Sequence, residues 1–390
     1  MTTTSEPRTS DALGAVQSVL PVLQKYRDDA EAARRQPDAV IEALKDAGLF
    51  KLWAPKEYGG HEVDMPVFMQ AIETMASVDP SAAWVFANTA TGAALVATLP
   101  PDSAREIYAG NCNVPIPGSV QPRGRAIPVD GGYRLSGRWP LASGGHFGAW
   151  FSPMGMVFEG DHPRMIADGV PDMRIMFVRH SELQIIDTWN SLGMRGTGST
   201  DVALEDVFVP EGMTSSFFIE DPQVSGPLYK AGPLVLFSMV LATVMVGTAR
   251  QGIDAFVQVA KDKVPTLSQS TLGSRPTVHA ELARVEARMQ SARSFLFDIA
   301  NRLTDSLNAG KGIPDDLEAS RRLACVNAAE AAREAIDRVF ALAGTSPIYS
   351  GNTLERCLRD IHTASQHLIS SPVWWEKTGQ YYFGMGLGMP

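Results

Sequence analysis

The chain of 390 residues is poor in cysteine, in histidine and in positive charge. Its three cysteines, Cys112, Cys325 and Cys357, are odd in number and far apart, so they suggest neither a disulfide framework nor a paired-cysteine metal site. A reducing cytoplasm is the simplest home. Lys and Arg total 34 against 43 Asp and Glu, and the net charge of -9 gives no basic surface to neutralise phosphates, so no nucleic acid is expected as a partner. Long apolar runs are also missing. The longest, Pro233 to Val246, is too short to cross a bilayer and continues into Arg250, so it reads as a buried core helix and no membrane is expected. Met1 to Ser10 is polar, with no apolar run behind a basic patch, and reads as lacking an export signal. No Gly-x-Gly-x-x-Gly follows a strand, so the chain has no evident nicotinamide site of its own.

What is present divides into three textures. From Ala12 to about Leu99, apolar residues recur at helical spacing, as in Val19, Leu23 and Tyr26, or Met65, Phe68, Ile72 and Met75, with breaks at Pro37, Pro55, Gly59-Gly60 and Pro80. Between Asn111 and about Gly226 the pattern alternates, rich in Gly, Pro and β-branched residues; Gly132 to Trp139, Arg174 to Val178 and Val202 to Pro210 read as short strands of a β-barrel or sandwich. After Pro227 the helical period returns, in segments at about Leu234–Lys261, Val278–Asn308, Pro314–Ala343 and Thr353–Ser370, the lengths of an antiparallel four-helix bundle. The expectation is a mostly α, α+β fold: an N-terminal helical domain (1–110), a central β-barrel (111–226) and a C-terminal bundle (227–390).

That order and three motifs resemble the acyl-CoA dehydrogenase superfamily: Ala47-Gly48-Leu49-Phe50 through Pro55-Lys56-Glu57-Tyr58-Gly59-Gly60; Leu192-Gly193-Met194-Arg195-Gly196-Thr197-Gly198-Ser199 running into Val207-Phe208-Val209-Pro210; and Leu354-Glu355-Arg356 followed by Arg359-Asp360. The resemblance implies a homotetramer with flavin between barrel and bundle. It also implies a catalytic glutamate nine residues after the arginine of the Arg-Asp pair, where this chain has Leu368. The alternative placement on the first bundle helix fails too, because Asp221 to Ala280 contains no glutamate. A dehydrogenase or oxidase would need a displaced base.

The chain is more similar to a sister branch, the two-component (group D) flavin-dependent monooxygenases, which include phenol and steroid-catabolite hydroxylases and amine N-oxygenases. That resemblance implies a separate NAD(P)H-dependent flavin reductase, O2, reduced FMN or FAD, and oxygen transfer from a flavin C4a-hydroperoxide to a small aromatic, phenolic substrate. On it, His367 is a candidate base, an imidazole having its ordinary pKa near working pH. His362, five residues earlier on the same predicted helix, faces elsewhere. Ser143, followed by Gly144, falls where the branch places a serine at flavin N5, and Asn88 occupies the position of a further active-site histidine. Trp189, Arg195, Thr197 and Ser199 are candidate flavin contacts; either Trp139 or Trp189 could equally fill the barrel core. The diphosphate-binding Arg-x-x-Phe-Gly segment is replaced around Pro265 to Gln269, leaving Lys261 and Lys263 as the nearest cations, and the adenine-side segment has become Leu342 to Pro347, with Gly344. Phe86, His146, Met239 and Trp374 are candidate substrate contacts.

Overall fold

A computed structural model describes residues 9–217 and 221–388. Residues 1–8 of the stretch read as lacking an export signal lie outside them. The protein is mostly helical, with a β-sheet region in the middle of the chain. Five helices come first: α1 (Thr9–Ala33), α2 (Asp38–Asp46), α3 (Met65–Ala76), α4 (Pro80–Val96) and α5 (Pro101–Tyr108). Pro80 does not merely break the chain; it opens α4, where Asp79 caps by accepting from the Ala82 amide at 3.1 Å. Nearly every side chain of α4 is buried, as expected of a helix apolar on all faces.

The strands are β1 (Gly118–Val129), β2 (Gly132–Ala142), β3 (Trp150–Glu159), β4 (His162–Pro163), β5 (Met165–Ala167), β6 (Val170–Pro171), β7 (Met173–Met176), β8 (Val178–Arg179), β9 (Gln184–Ile186), β10 (Thr200–Pro210) and β11 (Thr214–Ser216). The main sheet runs β11-β7-β3-β1-β2-β10-β9, with β4 and β8 also paired to β3. β1 and β2 form a hairpin, while β1 and β3 are parallel. Residues 187–199, between β9 and β10, leave the sheet to reach the helices.

The bundle consists of α6 (Pro233–Asp262), α7 (Pro276–Asn308), α8 (Asp315–Leu342) and α9 (Thr353–Ala364), followed by α10 (Val373–Tyr382), which the sequence pattern did not separate. α6 is the central helix, packed against α3, α4, α8 and α9. It is apolar enough to cross a membrane by length and composition, yet 72% of its most apolar window is buried in the protein. Gly247 permits that packing: a Cβ there would lie 2.5 Å from the Ala76 Cβ and 2.6 Å from the Glu73 carbonyl oxygen. α9 stops at Ala364, six residues before the predicted end at Ser370, so His367 is not helical: it caps a separate 3-10 turn, Leu368–Ser370.

Candidate active site

The residues between β9 and β10 are tied to α9 and α1. The Met194 amide donates to the buried Asp360 carboxylate, the Gly193 amide donates to Thr363 Oγ1 at 2.9 Å, and Gln36 Nε2 donates to the Gly196 carbonyl at 3.1 Å. Gly193 sits so close to α9 that a Cβ would be 2.1 Å from the Arg359 carbonyl oxygen. Glu31 of α1 binds Arg359 at 2.8 Å and lies 3.6 Å from Arg195. Arg195, a candidate flavin contact, thus has a structural partner, and Trp189 Nε1 donates back to the carbonyls of Met194 and Arg195 at 3.2 and 3.1 Å. Burial pushes the Asp360 carboxyl up to about 7.

From this anchored loop runs a chain of hydroxyls. Thr197 Oγ1 donates to the Met194 carbonyl at 2.8 Å; Thr197 and Ser199 hydroxyls are 2.6 Å apart, and Ser199 and Ser143 hydroxyls 2.7 Å. Each hydroxyl has one proton to give. With that of Thr197 on the carbonyl, Ser199 must donate to Thr197 and Ser143 to Ser199. Trp84 Nε1 of α4 donates to Ser143 Oγ at 3.1 Å. Among the described residues, Ser143 therefore has no proton left and one lone pair free. Gly144, with φ +69° and its amide on the Thr197 carbonyl at 3.2 Å, fits against α4, since a Cβ there would be 2.8 Å from Thr89 Cγ2.

Next to this niche, a cavity of about 260 Å³ is walled by α4, α6, α8, the sheet and the turn after α9. Asn88, His367 and Trp374 line it. The His367 ring packs edge-on to Trp84, with centroids 5.7 Å apart. Its Nδ1 accepts from the Ile369 amide at 3.3 Å, which leaves the neutral ring with its proton on Nε2. Encirclement by protein lowers its pKa toward about 4. The ring remains accessible from the cavity. Asn88 Nδ2 donates to the Trp84 carbonyl at 2.8 Å, and Trp374 Nε1 to the Leu368 carbonyl at 2.7 Å.

Three predicted substrate contacts lie elsewhere. Phe86 packs against Phe50 and Phe68 in the core, and Met239 is fully buried, its sulfur 3.7 Å from Cys325 Sγ; neither is on the cavity wall. Large apolar side chains fill a core as readily as they line a pocket. His146 stands beside Gly198, its pKa lowered by burial and by Arg35, and is not a wall residue either. Lys263 and Gly344 come together, the Lys263 ammonium donating to the Ala343 carbonyl at 2.6 Å. Sequence reasoning missed Trp84, Arg321 and Arg322. The arginines carried a signal, charged residues three and four positions after Glu318 in an apolar, alanine-rich helix.

A helical N-terminal region, a sheet and a bundle, meeting at a polar niche beside an apolar cavity, define an acyl-CoA dehydrogenase-fold flavoenzyme. Residues 15–109 match the acyl-CoA dehydrogenase N-terminal domain and residues 239–372 the C-terminal domain of the same family. The chain belongs to the oxygenase family of two-component flavin monooxygenases built on that fold, and is an oxygenase component that works with reduced flavin and a flavin reductase. Indole-3-acetate monooxygenase of Pseudomonas putida is 31% identical over 347 residues, covering 88% of this chain and 86% of the relative. The crystal structure of the HsaA monooxygenase from M. tuberculosis has a TM-score of 0.90 at 27% identity, over 98% of this chain and 99% of that one. XiaF from Streptomyces sp., in complex with FADH2, has a TM-score of 0.89 at 26% identity, over 98% and 97% of the two chains. The niche fits reduced flavin: the reduced ring carries an N–H at N5 that the oxidised ring lacks, and Ser143 offers an acceptor with no proton of its own to spend.

Proposed function

We propose that this chain hydroxylates a small aromatic, phenolic substrate with O2, using reduced FMN or FAD delivered by an NAD(P)H-dependent reductase. When bound, reduced flavin supplies the activation of O2 and one oxygen atom for the substrate. Ser143 would accept from flavin N5, held by Trp84 on one side and by Ser199 and Thr197 on the other, with the Gly144 backbone alongside. Lys263 and Gly344 would meet the phosphate and adenine side of the cofactor. Asn88 and Trp374 would border the substrate, and the apolar walls would keep water from the reacting oxygen.

His367 takes a different part from the base expected of it. A ring with lowered pKa and its proton on Nε2 is a poor proton acceptor at neutral pH and a good neutral donor, so it would orient a substrate oxygen. The observation that carries the reading is the unspent Ser143 lone pair beside a cavity that holds no carboxylate among its described lining residues, which also leaves acyl-CoA dehydrogenation without a base. The protein would work in the cytoplasm as a homotetramer, with three domains divided near residues 110 and 226.

Anaerobic titration with reduced FMN and reduced FAD, followed by admission of 18O2 with a panel of phenols, tests this. One labelled oxygen atom per product is expected. Tight binding of oxidised FAD that is bleached by an acyl-CoA would point to the dehydrogenase instead.

A further inference from the structure

The cavity wall contains two guanidinium groups and one carboxylate. Arg321 and Arg322, on one turn of α8, are only 5% and 4% exposed, and both line the cavity. Glu318 serves both: its carboxylate oxygens accept from Arg321 Nε and Nη2 at 2.6 Å each and from Arg322 Nε at 2.7 Å. Arg321 Nη1 donates to Ser238 Oγ, and Arg322 Nη1 to the Leu387 carbonyl at 2.8 Å. Arg322 Nη2 has no partner among the described residues. Its guanidinium lies over the Trp374 ring, 5.2 Å from the centroid.

Arginine does not shed its proton inside proteins, so this trio holds one uncompensated positive charge in a low-dielectric wall. Buried charges are paired, and here the described residues that line the cavity include no Asp or Glu to do it. Most of the remaining wall is apolar, including Leu95, Ile116, Met154, Phe237 and Leu241. An apolar chamber with one unspent guanidinium nitrogen, Arg322 Nη2, matches a ligand that is a ring with a short acidic arm, since a charge-assisted hydrogen bond from guanidinium to carboxylate is stronger than a neutral one.

We propose that the cavity selects aromatic acids, with the substrate carboxylate held by Arg322 and steadied by Arg321. This rests on the oxygenase reading, naming the substrate class of that same cavity. Arg322 would be a specificity residue, Trp374 would set the plane of its guanidinium, and neutral aromatics would bind without the ionic contact.

The test is equilibrium binding to the full chain loaded anaerobically with reduced FMN, using phenylacetate, phenylpropanoate and naphthylacetate, each against its primary amide. The best acid should bind at least tenfold more tightly than its amide. Arg322→Met should erase that preference, Arg322→Lys should keep part of it, and neither should change affinity for reduced FMN. Acids that bind no better than their amides would overturn the proposal without needing any variant. So would a fall in reduced-FMN affinity with no change in acid preference, since the arginines would then serve the cofactor phosphate. Failure of the wild-type chain to bind reduced flavin would sink the oxygenase reading instead, and the acid and amide comparison on the flavin-free chain would still decide this one.

Discussion

Ser143 and Ser199 share a hydroxyl–hydroxyl hydrogen bond of 2.7 Å whose direction is set from outside the pair, by the Met194 carbonyl at one end and the Trp84 indole at the other. The four links make Ser143 an acceptor. In the proposed function this favours a flavin that carries a proton on N5.

Replacing Ser143 by Ala should weaken reduced FMN by roughly tenfold or more, the worth of about one hydrogen bond with its neighbours left unpaired. Trp84→Phe should do something different: Ser143 keeps its proton on Ser199 and gains a second free lone pair, so the preference for reduced over oxidised flavin should persist. Paired anaerobic and aerobic titrations read both effects, and a lost preference in Trp84→Phe would show that the Met194 carbonyl does not set the hydroxyl direction.

His367→Asn keeps a neutral donor near the ring, whereas His367→Ala does not. Coupling of flavin oxidation to product should survive better in Asn than in Ala, read as the ratio of hydroxylated product to released peroxide. A base would give the opposite pattern, with both variants equally impaired.

His367 also makes a statement about pH. Its folded pKa lies below the ordinary 6.5, toward about 4, so the unfolded chain binds the proton more readily. Its contribution to stability is fully present above pH 6.5 and is lost as pH falls from there toward 4. The His367→Asn variant should therefore show a flatter fall in Tm across that window than the parent.

Asp360 has the reverse sign. Its folded pKa is raised from 3.8 to about 7, so the neutral acid fits the fold better, and stability drops as pH rises through that interval. Asp360→Asn retains an acceptor for the Met194 amide and no charge. Its Tm should exceed that of the parent at pH 8 and approach it near pH 4; equal Tm values at pH 8 would mean that the charge is already compensated.

Gly247→Ala should cost about 1–3 kcal/mol, because the added methyl meets Ala76 and the Glu73 backbone between two packed helices. Chemical denaturation measures it directly.

The helices were legible because their cores repeat at a fixed spacing: α7 was expected at Val278–Asn308 and spans Pro276–Asn308. His367 was misplaced onto a helix because Thr363, Ala364, Ser365 and Gln366 contain no Gly or Pro to mark the end at Ala364. The hydroxyl chain was half legible. Ser143, Thr197 and Ser199 stood in recognisable segments, but Trp84 reaches them from a distant helix, 59 residues away in sequence. Phe86 and Met239 show the limit from the other side, since residue type alone does not say whether a large apolar side chain faces a cavity or a neighbour. Arg321 and Arg322 sat in a stretch read only as bundle helix; their meaning depends on what the opposite wall lacks.

Gly193 and Met194 give their amides to α9, and the Met194 carbonyl ends the hydroxyl chain that begins at Trp84. One short segment thus rivets the sheet to a helix whose Asp360 is 166 residues further along the chain. A slip of α9 along its axis would drag Met194 with it, and the polarity of Ser143 would change before any residue of the niche was itself touched. Distant lesions in the bundle would therefore be read out at the serine proposed to face the flavin, so that faulty assembly and loss of redox discrimination would become a single failure.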